Sequence, residues 1–278
     1  MEKLCWITGT GGLIGSHIVR AAPPEWRVIA LTREQLDIRD FDAVRARFSA
    51  ERPQLVIHCA AMAKVNECES HPQLAWLVNC EATRVLAELS ASIPLLFFST
   101  DLVFDGRKGN YVERDAPNPL TRYAATKVAA EEVVLANPRH TVVRTSLNGG
   151  ASPGGDRSFT EQLLNSWRAG RATRLFTDEF RSPIMAEATA RAVWELVAQG
   201  GTGLLHVAGS ERLSRYEIGE IVARKAPELK PVLERASLRD FDGPPRAPDT
   251  SLDSSRAQEL LSFPLPSLSD WMKSGVPA

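Results

Sequence analysis

Two side chains that could move a proton, Tyr123 and Lys127, stand four residues apart in the segment Tyr-Ala-Ala-Thr-Lys. On a helix this spacing places both side chains on one face. A free phenol has a pKa of about 10, so it exchanges protons poorly at neutral pH. A nearby ammonium stabilises the phenolate. We therefore expect Lys127 to lower the pKa of Tyr123 and to make it a general acid for a carbonyl oxygen.

A hydroxyl group beside the same oxygen would help to hold it. Thr100 is the candidate, because it ends the apolar run Leu-Leu-Phe-Phe-Ser-Thr and ligands bind at the carboxyl edge of parallel sheets. An ordinary amphipathic helix would also explain Tyr123 and Lys127. The catalytic interpretation depends on their position, after Thr100 and just before another predicted strand. We predict Thr100, Tyr123 and Lys127 as the catalytic residues.

A glycine-rich turn, Thr-Gly-Thr-Gly-Gly-Leu-Ile-Gly, follows the first predicted strand and opens the first predicted helix. Its glycines allow a sharp turn, a close approach of the backbone to a pyrophosphate, and close packing of the helix on the sheet. The helix N-terminus offers free N–H groups to phosphates. A turn without a ligand is the alternative, but the context favours a dinucleotide. The expected contacts are Gly9, Thr10, Gly11, Gly12, Leu13, Ile14 and Gly15.

The choice of dinucleotide depends on the end of the second predicted strand. Arg33 stands there, where an enzyme that binds a 2′-hydroxyl usually has an acidic residue. Its planar guanidinium suits a 2′-phosphate, although a solvated surface arginine is the alternative. We therefore expect NADP (NADPH) rather than NAD, which stays possible. The other residues assigned to the cofactor are Asp37, Ile38, Cys59, Ala60, Ala61, Ala63, Asn79, Ser99, Tyr123 and Lys127. The amide of Asn79 could instead bond to the backbone or to neighbours of Tyr123.

Short apolar runs alternate with helical patterns in the first half of the chain. The predicted strands are Leu4–Thr8, Arg27–Thr32, Leu55–His58, Leu95–Ser99, Thr141–Arg144 and Gly203–Ala208. The predicted helices are Leu13–Ala22, Phe41–Phe48, Leu74–Ser90, Tyr123–Ala136, Phe159–Arg168, Glu187–Ala198, Arg215–Lys225, Ser254–Leu261 and Ser267–Lys273. This alternation predicts an α/β fold, a Rossmann-like doubly wound parallel sheet with a smaller C-terminal substrate-binding lobe. Residues 1–147 are expected to form the NAD(P)-binding domain. Residues 148–278 are expected to be mainly the substrate-binding lobe, with about 187–208 returning to the first domain.

The composition excludes several classes of function. The 278 residues carry a formal net charge of -1, so no global field favours nucleic acid or an anionic membrane. No apolar stretch reaches the length of a membrane span, and the N-terminal residues are expected to belong to the fold. The four cysteines form no CxxC pair and the histidines do not cluster. We expect no metal site and a cytoplasmic protein.

Taken together, these segments resemble the extended short-chain dehydrogenase/reductases, and within them the dTDP-4-dehydrorhamnose reductase branch. The similarity is carried by Thr-Gly-x-x-Gly-x-x-Gly, by Ala-Ala after the third strand, by Ser-Thr-Asp-Leu-Val-Phe-Asp-Gly and by Tyr-x-x-x-Lys. It implies the catalytic trio Thr100, Tyr123 and Lys127, and reduction of a 4-keto group on a nucleotide-activated deoxysugar. Leu102 stands where related dehydratases have an acidic residue, which favours simple reduction.

Five residues are assigned to the substrate side: Val65, Asp101, Phe104, Arg181 and Arg246. Arg181 and Arg246 could bind the diphosphate of a sugar nucleotide, or could be packing or surface arginines. The chain also departs from the branch, because Leu-Asn-Gly-Gly follows Ser146 where the reductases usually have Trp and a further aromatic residue. This departure leaves the identity of the sugar open.

Three functions remain compatible with the sequence. The leading one is a nucleotide-sugar reductase. The second is a non-catalytic NADP-binding regulatory subunit that resembles the methionine adenosyltransferase beta subunit, which the missing aromatic residue favours and the retained trio opposes. The third is a sugar-nucleotide epimerase. A homodimer is also possible.

Overall fold

The computed structural model describes residues 3–273 as an α/β protein. Its strands are β1 (Lys3–Thr8), β2 (Trp26–Leu31), β3 (Leu55–His58), β4 (Leu95–Thr100), β5 (Thr141–Thr145), β6 (Asn148–Gly149), β7 (Thr173–Phe176), β8 (Phe180–Arg181), β9 (Ile184–Met185), β10 (Gly203–Val207), β11 (Leu213–Ser214) and β12 (Leu233–Ala236). Its α-helices are α1 (Leu13–Arg20), α2 (Phe41–Glu51), α3 (Val65–Ser70), α4 (Pro72–Trp76), α5 (Ala82–Leu89), α6 (Arg122–Leu135), α7 (Phe159–Arg168), α8 (Ala186–Ala198), α9 (Arg215–Lys225), α10 (Ser255–Gln258) and α11 (Leu268–Lys273). The predicted domains extend beyond this part of the chain, since Met1, Glu2 and residues 274–278 lie outside the description.

Six of the strands form one parallel sheet in the order β10-β5-β4-β3-β1-β2. The chain moves outward from β1 to β2, then returns to β3 on the other side of β1 and continues in that direction. The sheet is therefore doubly wound, with its switch point between β1 and β3, and ligands bind outside the carboxyl ends of the strands at such a point. The fold class expected from the sequence is confirmed.

Helices cover both faces of the sheet, which explains why its strands are continuous apolar runs. Successive residues of β1 point to opposite sides. Cys5 and Ile7 pack in a core with α1 and α8, whereas Trp6 packs in a second core with α2, α5 and α6. This arrangement fixes the carboxyl ends of β1, β3 and β4 along one edge.

The helix predicted from Leu74 to Ser90 is not continuous. The structure has α4, then a π-helical turn at Leu77–Glu81, then α5. Apolar periodicity does not distinguish one wider turn from regular α-helix, so the prediction missed it. The helix predicted at Ser254–Leu261 is also shorter, since α10 ends at Gln258.

The rest of the chain forms a smaller lobe, which we call the substrate lobe (residues 148–185 and 209–273). Its core contains side chains from α7, α9 and α11. Both α7 and α9 begin with a capping box, in which Ser158 pairs with Glu161 and Ser214 with Glu217. We call residues 3–147 with α8 and β10 the sheet region, since β10 pairs with β5 and α8 packs on α1.

No helix among residues 3–273 is long and apolar enough to cross a membrane.

Candidate active site

The glycine turn between β1 and α1 requires residues without side chains at Gly9 and Gly15. Gly9 has φ +71°, and a Cβ there would lie 2.5 Å from the backbone nitrogen of Ala60. A Cβ on Gly15 would lie 2.5 Å from the carbonyl oxygen of Gly9. The backbone of Gly9 and Thr10 is fixed by N–H groups that donate to the carbonyl of Leu31. The turn therefore holds α1 against the sheet with its N-terminus open at the carboxyl edge.

Two buried hydroxyl groups at this edge indicate that a polar ligand belongs here. Thr10 Oγ1 and Ser99 Oγ are buried without a hydrogen-bond partner among residues 3–273. Gly12, which caps α1, has no side chain to bond the first N–H groups of the helix. Buried polar groups are nearly always paired in native proteins. A pyrophosphate would accept from such donors, so the turn fits the predicted dinucleotide.

Arg33 follows β2 and lies near the expected ribose position. Its side chain is 78% exposed and its Nε is 3.8 Å from a carboxyl oxygen of Asp37. Arg39 binds Asp37 more closely, with Nε 2.9 Å from Oδ1, and lowers the pKa of Asp37 to about 2. Asp37 is therefore charged and mainly neutralised by Arg39, which leaves Arg33 available to an anion.

The segment after β3 forms the other wall of the glycine turn. Ala60 donates its N–H to Thr8 Oγ1 (3.3 Å), and the same hydroxyl lies 2.7 Å from His58 Nδ1. Burial lowers the pKa of His58 to about 3, so His58 is a neutral structural residue. Ala61 and Ala63 are exposed, and small side chains there leave room along the edge.

Tyr123 lies in the first turn of α6, at hydrogen-bond distance from Thr100 at the end of β4. Burial raises the pKa of Tyr123 well above that of a free phenol, the hydrogen bond with Thr100 lowers it, and nearby Asp101 raises it. The lowering that we expected from Lys127 was therefore wrong for this structure. Burial dominates because a phenolate loses its hydration inside the protein.

Lys127 is one helical turn after Tyr123 and only 2% exposed. Its Nζ lies over the ring of Phe97, 3.9 Å from the centroid. Burial lowers the pKa of Lys127 to about 7, against the opposing effects of Glu131 and Cys59. A buried ammonium is costly, and the group is therefore only partly protonated near neutral pH. Lys127 is not among the groups that shift the pKa of Tyr123, for which burial is the largest cause.

Asn79 fixes the catalytic helix to the loop after β3. Its Oδ1 accepts from the N–H of Met62 (2.8 Å), and its Nδ2 donates to the carbonyl of Met62 and to Thr126 Oγ1 (3.0 Å). Thr126 donates in turn to the carbonyl of Tyr123. These bonds to the backbone and to a neighbour of the tyrosine are the alternative to a cofactor contact that the sequence allowed for Asn79. The π-helical turn places it in this position.

Asp101 connects Thr100 to the substrate lobe. Its carboxylate accepts from Thr100 Oγ1 (3.2 Å), Ser146 Oγ (2.7 Å) and Thr250 Oγ1 (3.0 Å). The carboxylate is buried, so these bonds hold it firmly. Sequence analysis missed Thr250, because this partner lies 149 residues away.

Arg181 is buried in contacts within the protein. Its guanidinium donates to the carbonyls of Phe180 and Ala247, and it lies 3.0 Å from Glu179 and 3.6 Å from Asp101. Direct binding of a diphosphate by Arg181 would break some of these bonds. Arg246 is more accessible, with its side chain 36% exposed, although Nε and Nη2 donate to Glu179. Sequence reasoning missed Glu179, the carboxylate that these two arginines share.

The assignment of Phe104 to the substrate side is corrected by its burial. The side chain has no exposed surface and stacks on Tyr111 with ring centroids 4.0 Å apart. Val65, at the start of α3, packs beside Tyr123 and is only partly buried. Leu147, which replaces the aromatic residue of the reductases, packs against the core of the substrate lobe.

Comparisons with known proteins agree with this geometry. A family model described as the RmlD substrate binding domain matches residues 3–275. The dTDP-4-dehydrorhamnose reductase of Mycolicibacterium smegmatis is 34% identical over 98% of the chain and 83% of its own length. A hypothetical dTDP-4-dehydrorhamnose reductase from Sulfolobus tokodaii is 31% identical with a TM-score of 0.87 over 95% of this chain and 98% of its own. The same enzyme from Bacillus anthracis, in complex with NADP, has a TM-score of 0.91 at 24% identity, over 98% of both chains.

A relative of a different class is similar as well. The methionine adenosyltransferase 2 subunit beta of Danio rerio is 28% identical over 76% of this chain and 70% of its own length. The doubly wound sheet, the glycine turn and the Tyr–Lys helix nevertheless define an NAD(P)-dependent oxidoreductase of the extended short-chain dehydrogenase/reductase type. Within that class, the chain belongs to the RmlD substrate-binding family.

Proposed function

We propose that this protein uses NADPH to reduce the 4-keto group of a nucleotide-activated 6-deoxysugar. The observation that carries the proposal is the meeting of three groups at one sheet edge: Tyr123 bonded to Thr100, with Lys127 one helical turn away. This edge also carries the open glycine turn. The relatives named dTDP-4-dehydrorhamnose reductase support the class of substrate.

NADPH, when bound, supplies the hydride that adds to the carbonyl carbon. Tyr123 donates its proton to the carbonyl oxygen, which becomes the new hydroxyl group. The raised pKa of Tyr123 suits this direction, because burial keeps the phenol protonated until the substrate takes the proton. Thr100 orients the phenol and the substrate oxygen. When its amine is protonated, Lys127, one helical turn away, would stabilise the phenolate that forms.

The preference for NADPH is supported by the surroundings of Arg33. The guanidinium is exposed at the end of β2, and Arg39 takes up most of the charge of the nearby Asp37. A 2′-phosphate would therefore meet an exposed guanidinium that is only loosely paired with Asp37. All four cysteines, within the described part of the chain, are free thiols, which supports the expected cytoplasmic location. A homodimer stays a prediction.

The test is NADPH oxidation with a panel of nucleotide-linked 4-keto-6-deoxysugars, followed at the absorbance of the reduced cofactor. The wild type should turn over at least one of them. Tyr123→Phe should lower kcat by about 10³-fold and leave NADP⁺ affinity unchanged, since it removes only the proton. Tyr216→Phe, which removes a phenol hydroxyl from the substrate lobe, is the matched control. Full activity in Tyr123→Phe would refute the proposed acid, and a wild type that retains no pyridine nucleotide would refute the enzyme.

A second candidate is a regulatory subunit that binds NADP without turnover. One observation in its favour is Leu147, which packs against the lobe core and stands where an aromatic residue is expected beside the sugar. The other is the similarity to the methionine adenosyltransferase 2 subunit beta. Tight NADP⁺ binding with no turnover on the whole panel, together with co-purification of a partner enzyme, would favour it. Turnover with no net consumption of NADPH would instead indicate an epimerase.

A further inference from the structure

Three arginines and two carboxylates form one cluster between the catalytic edge and the substrate lobe. Glu179 pairs with Arg181 and Arg246, and Asp101 lies beside Arg181. Arg215, the first residue of α9, is the third arginine. The charges of the other four residues all shift its pKa. The cluster therefore has one more positive charge than negative charges.

Arg215 is the member whose charge is not matched. Its backbone N–H donates to the carbonyl of Glu179 (2.9 Å), but among residues 3–273 no carboxylate oxygen lies within 4.0 Å of its guanidinium. Its Nη1 is buried and has no hydrogen-bond partner in the same part of the chain. Burial lowers the pKa of Arg215 to about 10, and the like charges of Arg181 and Arg246 act in the same direction.

An unpaired guanidinium donor is costly to bury. Such a donor beside a surplus of positive charge is explained when an anion completes the cluster. The anion should be able to accept two parallel N–H bonds, since a guanidinium presents its donors as a planar fork. Phosphate oxygens match this fork.

We propose that Arg215 binds the diphosphate of the nucleotide substrate, with Arg246 at the accessible side of the cluster. Arg181 acts differently, because its donors are already bonded to carbonyls and carboxylates. Its role is to hold the neighbouring backbone and Glu179 in place. The assignment rests on the proposed function, since it places the substrate's diphosphate at a residue that sequence reasoning did not select. The short pair of β8 with β11 positions Arg215 here, with Leu213 opposite Arg181.

The experiment is calorimetric titration of the protein–NADP⁺ complex with dTDP, UDP, GDP and CDP in turn. For the nucleotide that the wild type binds, Arg215→Gln should weaken the affinity by roughly tenfold or more, because one charge-assisted pair is lost. Arg224→Gln, on the same helix but exposed, makes the same charge change and should leave the affinity within about twofold. The affinity for NADP⁺ should stay the same in both variants.

Arg215→Lys tests whether binding needs the planar set of guanidinium donors. It also provides a second variant if Arg215→Gln does not fold. Lysine keeps the charge but not the planar donors, so we expect a loss of roughly threefold to tenfold. Wild-type affinity in either folded variant overturns the proposal, and indicates that Arg215 bonds only to internal water. A wild type that binds none of the four diphosphates also overturns it.

The two proposals fail in different ways. If the protein oxidises NADPH with a keto-sugar nucleotide and Tyr123→Phe does not, the reductase stands, whatever the titrations of Arg215 show. If the protein does not turn over any keto-sugar but the diphosphate affinity depends on Arg215, the diphosphate site stands without the reductase.

Discussion

The sheet region and the substrate lobe both have an apolar core, but they bury charge in different ways. In the sheet region, Glu131 and Arg144 form a buried pair in which, among residues 3–273, each charge has one partner. Beside the site, the substrate lobe buries a cluster in which Glu179 is shared by Arg181 and Arg246. Removing one partner of a buried ion pair is costly, and here one carboxylate serves more than one arginine. The lobe cluster should therefore be the more sensitive to a single substitution, and its surplus of arginines suits an anionic ligand.

The segment of residues 247–253 joins the two regions. Asp249 donates its N–H to the carbonyl of Gly106 in the sheet region, and Thr250 donates to the carbonyl of Phe180 in the lobe. The hydroxyl of Thr250 reaches Asp101, next to the catalytic threonine. The position of the lobe is thus coupled to the catalytic edge through backbone bonds and one buried carboxylate.

The largest difference between the two regions in stability and ligand binding should come from Glu179→Gln. It leaves Arg181, Arg215 and Arg246 without their shared counter-charge, and such a loss inside a protein costs about 3–5 kcal/mol. We expect the free energy of unfolding in urea to fall by that amount and nucleoside diphosphate binding to be lost. NADP⁺ affinity in the protein that stays folded should be unchanged, because the glycine turn lies outside this cluster.

Glu234→Gln is the control for Glu179→Gln, since it makes the same charge change at an exposed position of the lobe strand β12. It should alter the free energy of unfolding by less than about 0.5 kcal/mol. Equal effects of the two variants would show that ion pairs do not hold the lobe.

The sheet region could be predicted from the sequence because its signals are local. Continuous apolar runs gave the strand Leu55–His58 with the observed bounds, and the other strands of the sheet within one residue at each end. The glycine turn and the position of Tyr123 after Thr100 followed from residues that are close in sequence. Two predictions failed there. The helix from Leu74 to Ser90 is interrupted by a π-helical turn, and the pKa of Tyr123 depends on how deeply α6 is buried, which no spacing reveals.

The lobe could be predicted only where its helices are regular. The bounds of α7 and α9 were predicted correctly, because their capping residues and apolar stripes are visible. Strands of two residues, such as β8 and β11, carry no periodicity at all. Partners such as Asp101 and Thr250 are brought together only by the folded backbone. The contacts within the charge cluster could not be predicted for the same reason.

Lys127→Met should raise the free energy of unfolding, unlike the other variants. The reason is that the buried lysine of the sheet region destabilises the fold. The pKa of Lys127 falls from 10.5 to about 7 on folding, so the unfolded chain binds the proton more tightly. The penalty is fully present below pH 7 and disappears as the pH rises toward 10.5. At pH 8 it is about 3 kcal/mol. We expect the variant without cofactor to unfold at higher urea concentration at pH 8, with an advantage that vanishes near pH 10, and to be inactive.

Lys64→Met is the control for this pH series, because Lys64 is exposed and, within residues 3–273, forms an ion pair only with Glu67 on the surface. Its unfolding midpoint should follow that of the wild type at every pH. If Lys127→Met did the same, the lysine would be ionised in the folded protein and its environment less apolar than its burial indicates.

The smallest effect should come from Thr250→Val, at the junction of the two regions. Valine has the shape of threonine, so the variant removes only the bond from Thr250 Oγ1 to Asp101, and the carboxylate keeps Thr100 and Ser146. A bond to a charged group contributes about 1.5–3 kcal/mol, and the loss should be near the lower value because the other donors remain. Thr177→Val, which removes a bond to the neutral carbonyl of Ala236, should cost less, about 1 kcal/mol. In Thr250→Val we also expect KM for the nucleotide sugar to rise while NADP⁺ affinity stays constant. A rise in both would mean that the junction supports the whole edge and not the lobe alone.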